Sequence, residues 1–161
     1  MALVACLTSC GTANQEGTAP SSPAELGDRV AQALLSGNTN LISTCLPPAE
    51  AYLKVFAMSS TIDRLSDEEM QKYYHRTMDK MIEYVGQFPT DVEKETNLRI
   101  ADIRKTVVEI GKPDGPLIDV MLTFQTDTSA FMMRLDACLQ YNDHWYLIDF
   151  DWIGEEKNSE Q

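Results

Sequence analysis

Residues 129–153 read SAFMMRLDACLQYNDHWYLIDFDWI, and this run decides the fold. Asn142 and Asp143 are turn residues set between two runs in which apolar and polar side chains alternate. A two-residue hairpin loop there makes Tyr141 the partner of His144. Leu139 then faces Tyr146, Ala137 faces Ile148, Leu135 faces Phe150 and Met133 faces Trp152. Strand side chains alternate with a period of two, so these residues share one sheet face, and that face is apolar. The preceding run, LIDVMLTFQTDT at 117–128, supplies a second, independent turn. A loop at Asp127 and Thr128 puts Phe124 opposite Phe131, Leu122 opposite Met133, Val120 opposite Leu135 and Ile118 opposite Ala137. The same face is apolar again, so two turns agree on one register.

Working outward, the period of two extends back toward residue 98, predicting strands near 98–110, 117–126, 129–141 and 144–153. The connections GKPDGP, DT and ND all carry turn chemistry. Upstream the period changes to that of a helix. In SSPAELGDRVAQALLSGN, Ser22 is an N-cap, Pro23 takes the first helical position and Glu25 the first turn. Leu26, Val30, Ala33 and Leu34 form its buried stripe, and Gly37 is the C-cap. A second short helix starts at PPAEAYLKVF, with Pro48 at its entrance. The third, SDEEMQKYYHRTMDKMIEYVGQF, opens on a capping box of Ser66 and Glu69. Met70, Tyr74, Thr77, Met81, Val85 and Phe88 recur at steps of four and three, flanked by Tyr73, Met78 and Ile82. This predicts an amphipathic helix of about six turns that stops at Pro89, followed by an acidic linker, TDVEKETN. The expected class is α+β: N-terminal helices on one face of a four-stranded antiparallel sheet.

The other sheet face carries Asp119, Asp136 and Asp149 in one row across three strands, with Asp151 opposite Arg134. Like charges directly opposed are destabilising, so the row needs a partner. Three readings follow. Lys or Arg from the first strand, Arg104 or Lys105, neutralises it; the three carboxylates hold a hard cation such as calcium; or they share a proton. The same register sets Cys138 on this polar face. Cys45 lies among the helices, so a Cys45–Cys138 bond is disfavoured.

Composition narrows the function. The chain has 161 residues, a formal charge of −12, 43% hydrophobic residues and eight Met, which fits one globular domain. That charge argues against nucleic acid, which demands a basic stripe. No apolar run approaches the roughly 20 residues of a spanning helix, so contact with a membrane requires an anchor.

Such an anchor is written at the start. Leu7 to Cys10, LTSC, resembles a bacterial lipobox, in which cleavage precedes the Cys and its thiol takes a diacylglyceryl group. The resemblance implies that the mature chain begins at Cys10 and is held to a bilayer by acyl chains. The following GTANQEGTAPSSP is rich in Gly, Ser, Thr and Pro and reads as a flexible tether. The departure from the pattern is that no Lys or Arg precedes Arg29 and the apolar run is short for a signal peptide. Either the true start lies upstream, or these residues are a cytosolic N-terminus. The expected organisation is a signal segment at 1–9, a tether at 10–22, one α+β domain at 23–153 and a disordered tail at 154–161. The expected place is the cell envelope, facing the periplasm or the exterior.

Two stretches resemble the superfamily of nuclear-transport-factor-2-like and cystatin-like domains. VAQALLSGNTNLISTCL is similar to their first helix and small-residue turn, and YNDHWYLIDFDW to their closing turn and last strand. The resemblance spans about residues 22–153. It implies a cone-shaped fold with a pocket between helices and sheet, dimerisation through the sheet, and many membrane-anchored members with no enzymatic role. Other members are isomerases or dehydratases, but their Asp, His and Tyr pattern matches no residues here. The short hairpin that many members insert before the long helix has no counterpart signal between Phe56 and Ser66.

No P-loop, Rossmann glycine pattern, His-Glu-x-x-His, Cys-x-x-Cys or Gly-x-Ser-x-Gly occurs in the chain. Of the two histidines, His144 flanks a hairpin turn and His75 sits beside the apolar stripe, as a helix-surface residue or as a base at a pocket rim. The expected function is therefore binding: a small apolar molecule between helices and sheet, or an envelope protein at the sheet. Tyr74, Met78 and Met81 with Phe124, Leu135 and Phe150 are the expected pocket walls, and no cofactor other than the possible calcium is implied. The alternative is a small pocket enzyme of the same fold, which needs a titratable side chain facing the cavity.

Overall fold

In the computed structural model, which describes residues 17–57, 66–96 and 98–157, helices lie against a four-stranded antiparallel sheet. The fold is α+β. The lipobox at Leu7–Cys10, the tether before Gly17 and the interval 58–65 lie outside the described residues.

Helix α1 (Pro23–Ser36) starts where its caps dictate, with the Glu25 N–H donating to Ser22 Oγ at 3.1 Å. It ends at Gly37, whose φ of 64° lies in the left-handed region that favours glycine. A side chain there would also crowd the Gly86 carbonyl, 3.3 Å from the position of a Cβ. A five-residue helix not expected from the sequence, α2 (Thr39–Ser43), follows at once, because Asn38 Oδ1 accepts from the N–H groups of Asn40 and Leu41. Then come α3 (Ala49–Ala57) and the long α4 (Asp67–Glu95), opened by the Ser66–Glu69 capping box.

Helix α4 does not stop at Pro89. It runs on to Glu95, through the residues that read as a linker. Proline inside a helix costs about 3 kcal/mol. Phe88 and Val92, on either side of it, are both buried, so the apolar period continues and packing outweighs the lost hydrogen bond.

The sheet is a meander of β1 (Lys105–Ile110), β2 (Leu117–Gln125), β3 (Ser129–Tyr141) and β4 (His144–Lys157), in that spatial order. The first strand, expected near 98–110, begins only at Lys105, and a 3-10 turn occupies Ile100–Asp102 before it. At the other end β4 continues to Lys157, past the expected tail boundary. Both tight turns form. Asn142 and Asp143 take φ of 49° and 63°, the primed turn that fits strand twist. Across Asp127 and Thr128, the Thr126 N–H donates to the Ser129 carbonyl at 2.9 Å. Tyr141 pairs with His144, Leu135 with Phe150, Phe124 with Phe131 and Val120 with Leu135, as the turns require.

The register then slips at two points. Between β3 and β4 it shifts from Met132, which pairs with Gly154, to Met133, which pairs with Trp152. The other slip lies between β2 and β3. Ile118 pairs with Cys138, not with Ala137, because Asp136 and Ala137 together oppose Asp119 in a β-bulge. Ala137 adopts φ 56°, and its N–H donates to Asp119 Oδ1 at 3.4 Å. Cys138 and Leu147 turn inward and are fully buried, which reverses the expected place of Cys138 on the polar face.

The core is one cluster joining Leu26, Val30, Leu34, Val85 and Phe88 of the helices to Val120, Leu122, Phe124, Phe131, Met133 and Leu135 of the sheet. Cys45 and Cys138 are both in it, and both are free thiols. The Cys45 carbonyl accepts from the Leu147 N–H at 2.8 Å, and Leu147 is the strand partner of Cys138. The two cysteines therefore share one core next to the β4 edge. Burial pushes the Cys45 thiol up to about 11 and that of Cys138 up to about 12. With Cys6 and Cys10 changed to serine, neither remaining thiol should react with a disulfide reagent at pH 8, and both should react in denaturant without reductant. Raised thiol values stabilise the fold below the unfolded value near 8.5, and that contribution fades as pH rises through 11 and 12. Unfolding midpoints should therefore fall above about pH 9.

Candidate functional site

An apolar groove opens where five parts of the chain meet. Its walls are Tyr74, Met78 and Ile82 of α4, Leu46, Pro47 and Pro48 of the α2–α3 loop, Ser43 and Thr44 at the end of α2, Tyr146 of β4, and Gly17 and Ala19. The volume is ≈ 520 Å³. Tyr74, Met78 and Ile82 stand four residues apart, so they line one stripe of α4 beside the stripe that faces the core.

The segment leading into α1 is built into this site. Arg29, buried inside α1, donates to the Thr18 carbonyl and pairs with Glu25. The Trp145 N–H donates to the Pro20 carbonyl at 2.8 Å, and His144 Nδ1 lies 3.1 Å from the Ala19 carbonyl. Residues 18–20 therefore cover the start of the β4 edge. Part of the stretch read as a free tether is thus folded against the domain.

The groove's polar groups are largely occupied by the protein itself. Tyr74 Oη donates to the Pro47 carbonyl at 2.8 Å, Ser43 Oγ to the Thr39 carbonyl at 2.7 Å, and Thr44 Oγ1 to the Leu41 carbonyl at 2.8 Å. Burial raises the phenols of Tyr74 and Tyr146, and that of neighbouring Tyr52 to about 12. All three stay protonated at neutral pH. Among the described lining residues there is no carboxylate, imidazole, amine, guanidinium or thiol. Such a surface offers apolar area and aromatic edges, and little to hold a polar molecule.

Of the six expected pocket residues, Tyr74 and Met78 line this groove. Met81, Phe124 and Leu135 are buried in the core cluster instead. Phe124 stacks on Phe131 with ring centres 4.7 Å apart. Phe150 packs on Tyr84 at 4.8 Å. Leu46, Pro47, Ile82 and Tyr146 were missed. The four-residue spacing of 74, 78 and 82 was a usable signal for Ile82, whereas the loop and Tyr146 arrive only through the tertiary fold. His75 is exposed and stands edge-on to Tyr74 at 5.1 Å.

The acidic row is assembled as expected, with Asp136 opposite Asp149 and Asp119 set in the bulge. Its counter-charge is Arg134, 3.0 Å from Asp151 and 3.9 Å from Asp136, while Arg104 pairs with Asp127 at 3.5 Å. Burial and the Asp119 charge raise the Asp136 carboxyl, with Arg134 opposing them. Asp119 and Asp149 spend oxygens on the N–H groups of Ala137 and Phe150. Among the described residues no group of three His, Cys, Asp or Glu side chains is placed to hold a metal ion.

The fold and the groove together define an α+β domain with an apolar, aromatic-rimmed surface site next to its N-terminal segment. Comparison with protein-family models, curated proteins and solved structures finds no match for this chain. Among the described residues no helix is long and apolar enough to cross a membrane.

Proposed function

We propose that this chain is a lipid-anchored lipoprotein of the bacterial envelope whose domain binds a small apolar molecule, with no catalytic step, in the groove between α4, the α2–α3 loop and β4. The observation that carries this reading is the composition of the groove: apolar and aromatic walls in which the hydroxyls of Tyr74, Ser43 and Thr44 are already hydrogen-bonded, with no carboxylate, imidazole, amine, guanidinium or thiol among the described lining residues. A pocket enzyme needs such a group facing the bound molecule.

The position of the groove supports the anchor as well. Gly17 and Ala19 lie in its wall, and Cys10 precedes Gly17 by seven residues. A chain of that length spans at most about 25 Å, so a domain acylated at Cys10 keeps its groove within that distance of the bilayer. A protein of charge −12 gains nothing electrostatically from an anionic surface, and acyl chains supply the affinity instead.

The test uses the full chain carrying Cys10→Ser and a fluorescent acyl probe, followed by titration. Saturable binding is expected, weakened about tenfold or more in Ile82→Glu and in Tyr146→Ala, and unchanged in Lys72→Ala on the exposed helix surface. In the native host, clickable palmitate should label the wild type and not Cys10→Ala. Binding insensitive to both groove substitutions would remove the groove from the proposal, and absence of label would remove the anchor.

A further inference from the structure

Strand β1 ends the sheet. It pairs with β2 on one side, and no described strand lies on the other. Natural edge strands are commonly protected by proline, lysine or other charges, a bulge or a covering segment, and β1 carries such charges only toward its ends, at Lys105 and Glu109. Thr106, Val107 and Val108 at the centre of β1 carry none of these, and Ile110 is 45% exposed.

The backbone sets which groups face outward. The Gly111 N–H donates to the Asp119 carbonyl, and the β1–β2 register continues from that pair, so Lys105, Val107 and Glu109 direct their N–H and C=O groups at β2. Thr106, Val108 and Ile110 therefore direct theirs at the open edge. Their side chains share the helix side of the sheet: Val108 lies against Gly27 of α1, and Thr106 lines a ≈ 360 Å³ hollow with Ala31 and Leu35.

A second copy of this strand, antiparallel about a twofold axis at Val107, meets these conditions. Thr106 of each copy then forms a hydrogen-bonded pair with Val108 of the other, which uses the outward N–H and C=O groups. Val107 faces its own equivalent across the axis. In the closer-spaced pairs that flank it, Lys105 of each copy stands directly opposite Glu109 of the other, giving two cross-strand ion pairs on the outer face.

We propose that two copies of this chain join β1 to β1 in this register, forming one eight-stranded antiparallel sheet. The association depends on neither the groove nor the anchor. Sedimentation of the unlipidated full chain should give a species of twice 18.1 kDa at concentrations up to about 100 µM. Lys105→Glu, and separately Glu109→Lys, should each weaken association about tenfold or more, and the double variant K105E/E109K should restore it. Lys105 and Glu109 are both exposed, so thermal unfolding checks that each variant still folds. As a second reading of the same register, Val107→Cys should cross-link between copies under mild oxidation. A monomer throughout the concentration range, or a dimer that ignores both single reversals, would overturn the proposal.

Discussion

Phe124→Ala is expected to lower the unfolding free energy by about 3–5 kcal/mol, the largest effect of any single substitution considered for this chain. Phe124 is fully buried, stacks on Phe131 across the β2–β3 ladder and meets Phe88 of α4 at 6.5 Å. Truncation removes a ring at the point where the helical layer and the sheet meet, and neighbours on two layers cannot both collapse into the space. Against a total of roughly 5–15 kcal/mol, such a loss brings the domain near its threshold. The check is the denaturant midpoint, with the slope unchanged. Phe124→Leu should cost less than about 1.5 kcal/mol and leave binding of the acyl probe unaltered. A folded Phe124→Leu variant that lost the probe would return the ligand to the space between helices and sheet, where the sequence reading first put it.

The second large effect is expected at Arg29. Its guanidinium pairs with Glu25 and donates to the Thr18 carbonyl and, at 3.5 Å, to Thr44 Oγ1. Glu25 also accepts from the Ser21 N–H and hydroxyl, which holds its carboxyl below the usual range. Methionine keeps much of the Arg29 volume and removes the fork. The loss should be about 2–3 kcal/mol, at the lower end for a broken buried pair because Glu25 remains partly exposed. Hydrogen exchange separates this from general destabilisation. The Trp145 amide, which donates to Pro20, should exchange faster relative to that of Leu147, which donates to Cys45. Affinity for the probe should fall with it, because Gly17 and Ala19 form part of the groove. In the wild type, the Glu25 contribution is present above its unfolded value near 4.3 and is lost as pH falls through the lower folded value.

Several features were legible from neighbouring residues alone. Ser22, Gly37 and the Ser66–Glu69 pair mark helix ends because a cap is a contact between residues about three apart. The two hairpin turns set the strand partners because a two-residue loop leaves no freedom in the register beside it. The bulge at Ala137 was hidden for the same reason that makes it unusual. Glycine is the ordinary sign of a left-handed residue in a strand, and alanine carries no such sign. Pro89 misled in the opposite sense: the rule that proline ends a helix is local, and the burial of Phe88 and Val92 that overrides it is not.

The sequence by itself determined the α+β class, the helix caps, the order of the strands, the pairing near each turn and the apolar side of the sheet. These depend on periodicity and short-range hydrogen bonding, which any window of about ten residues contains. Tertiary structure alone decided that Cys138 and Leu147 face inward, that Phe124, Leu135 and Met81 are core rather than pocket, and that the groove lies between Tyr74, Pro47 and Tyr146 beside residues 17–20. Those outcomes turn on how closely helix and sheet fit and on contacts across more than a hundred residues, such as His144 with Ala19. Side-chain pattern assigns a residue to a face, and only packing determines whether that face closes on itself or leaves room for something else.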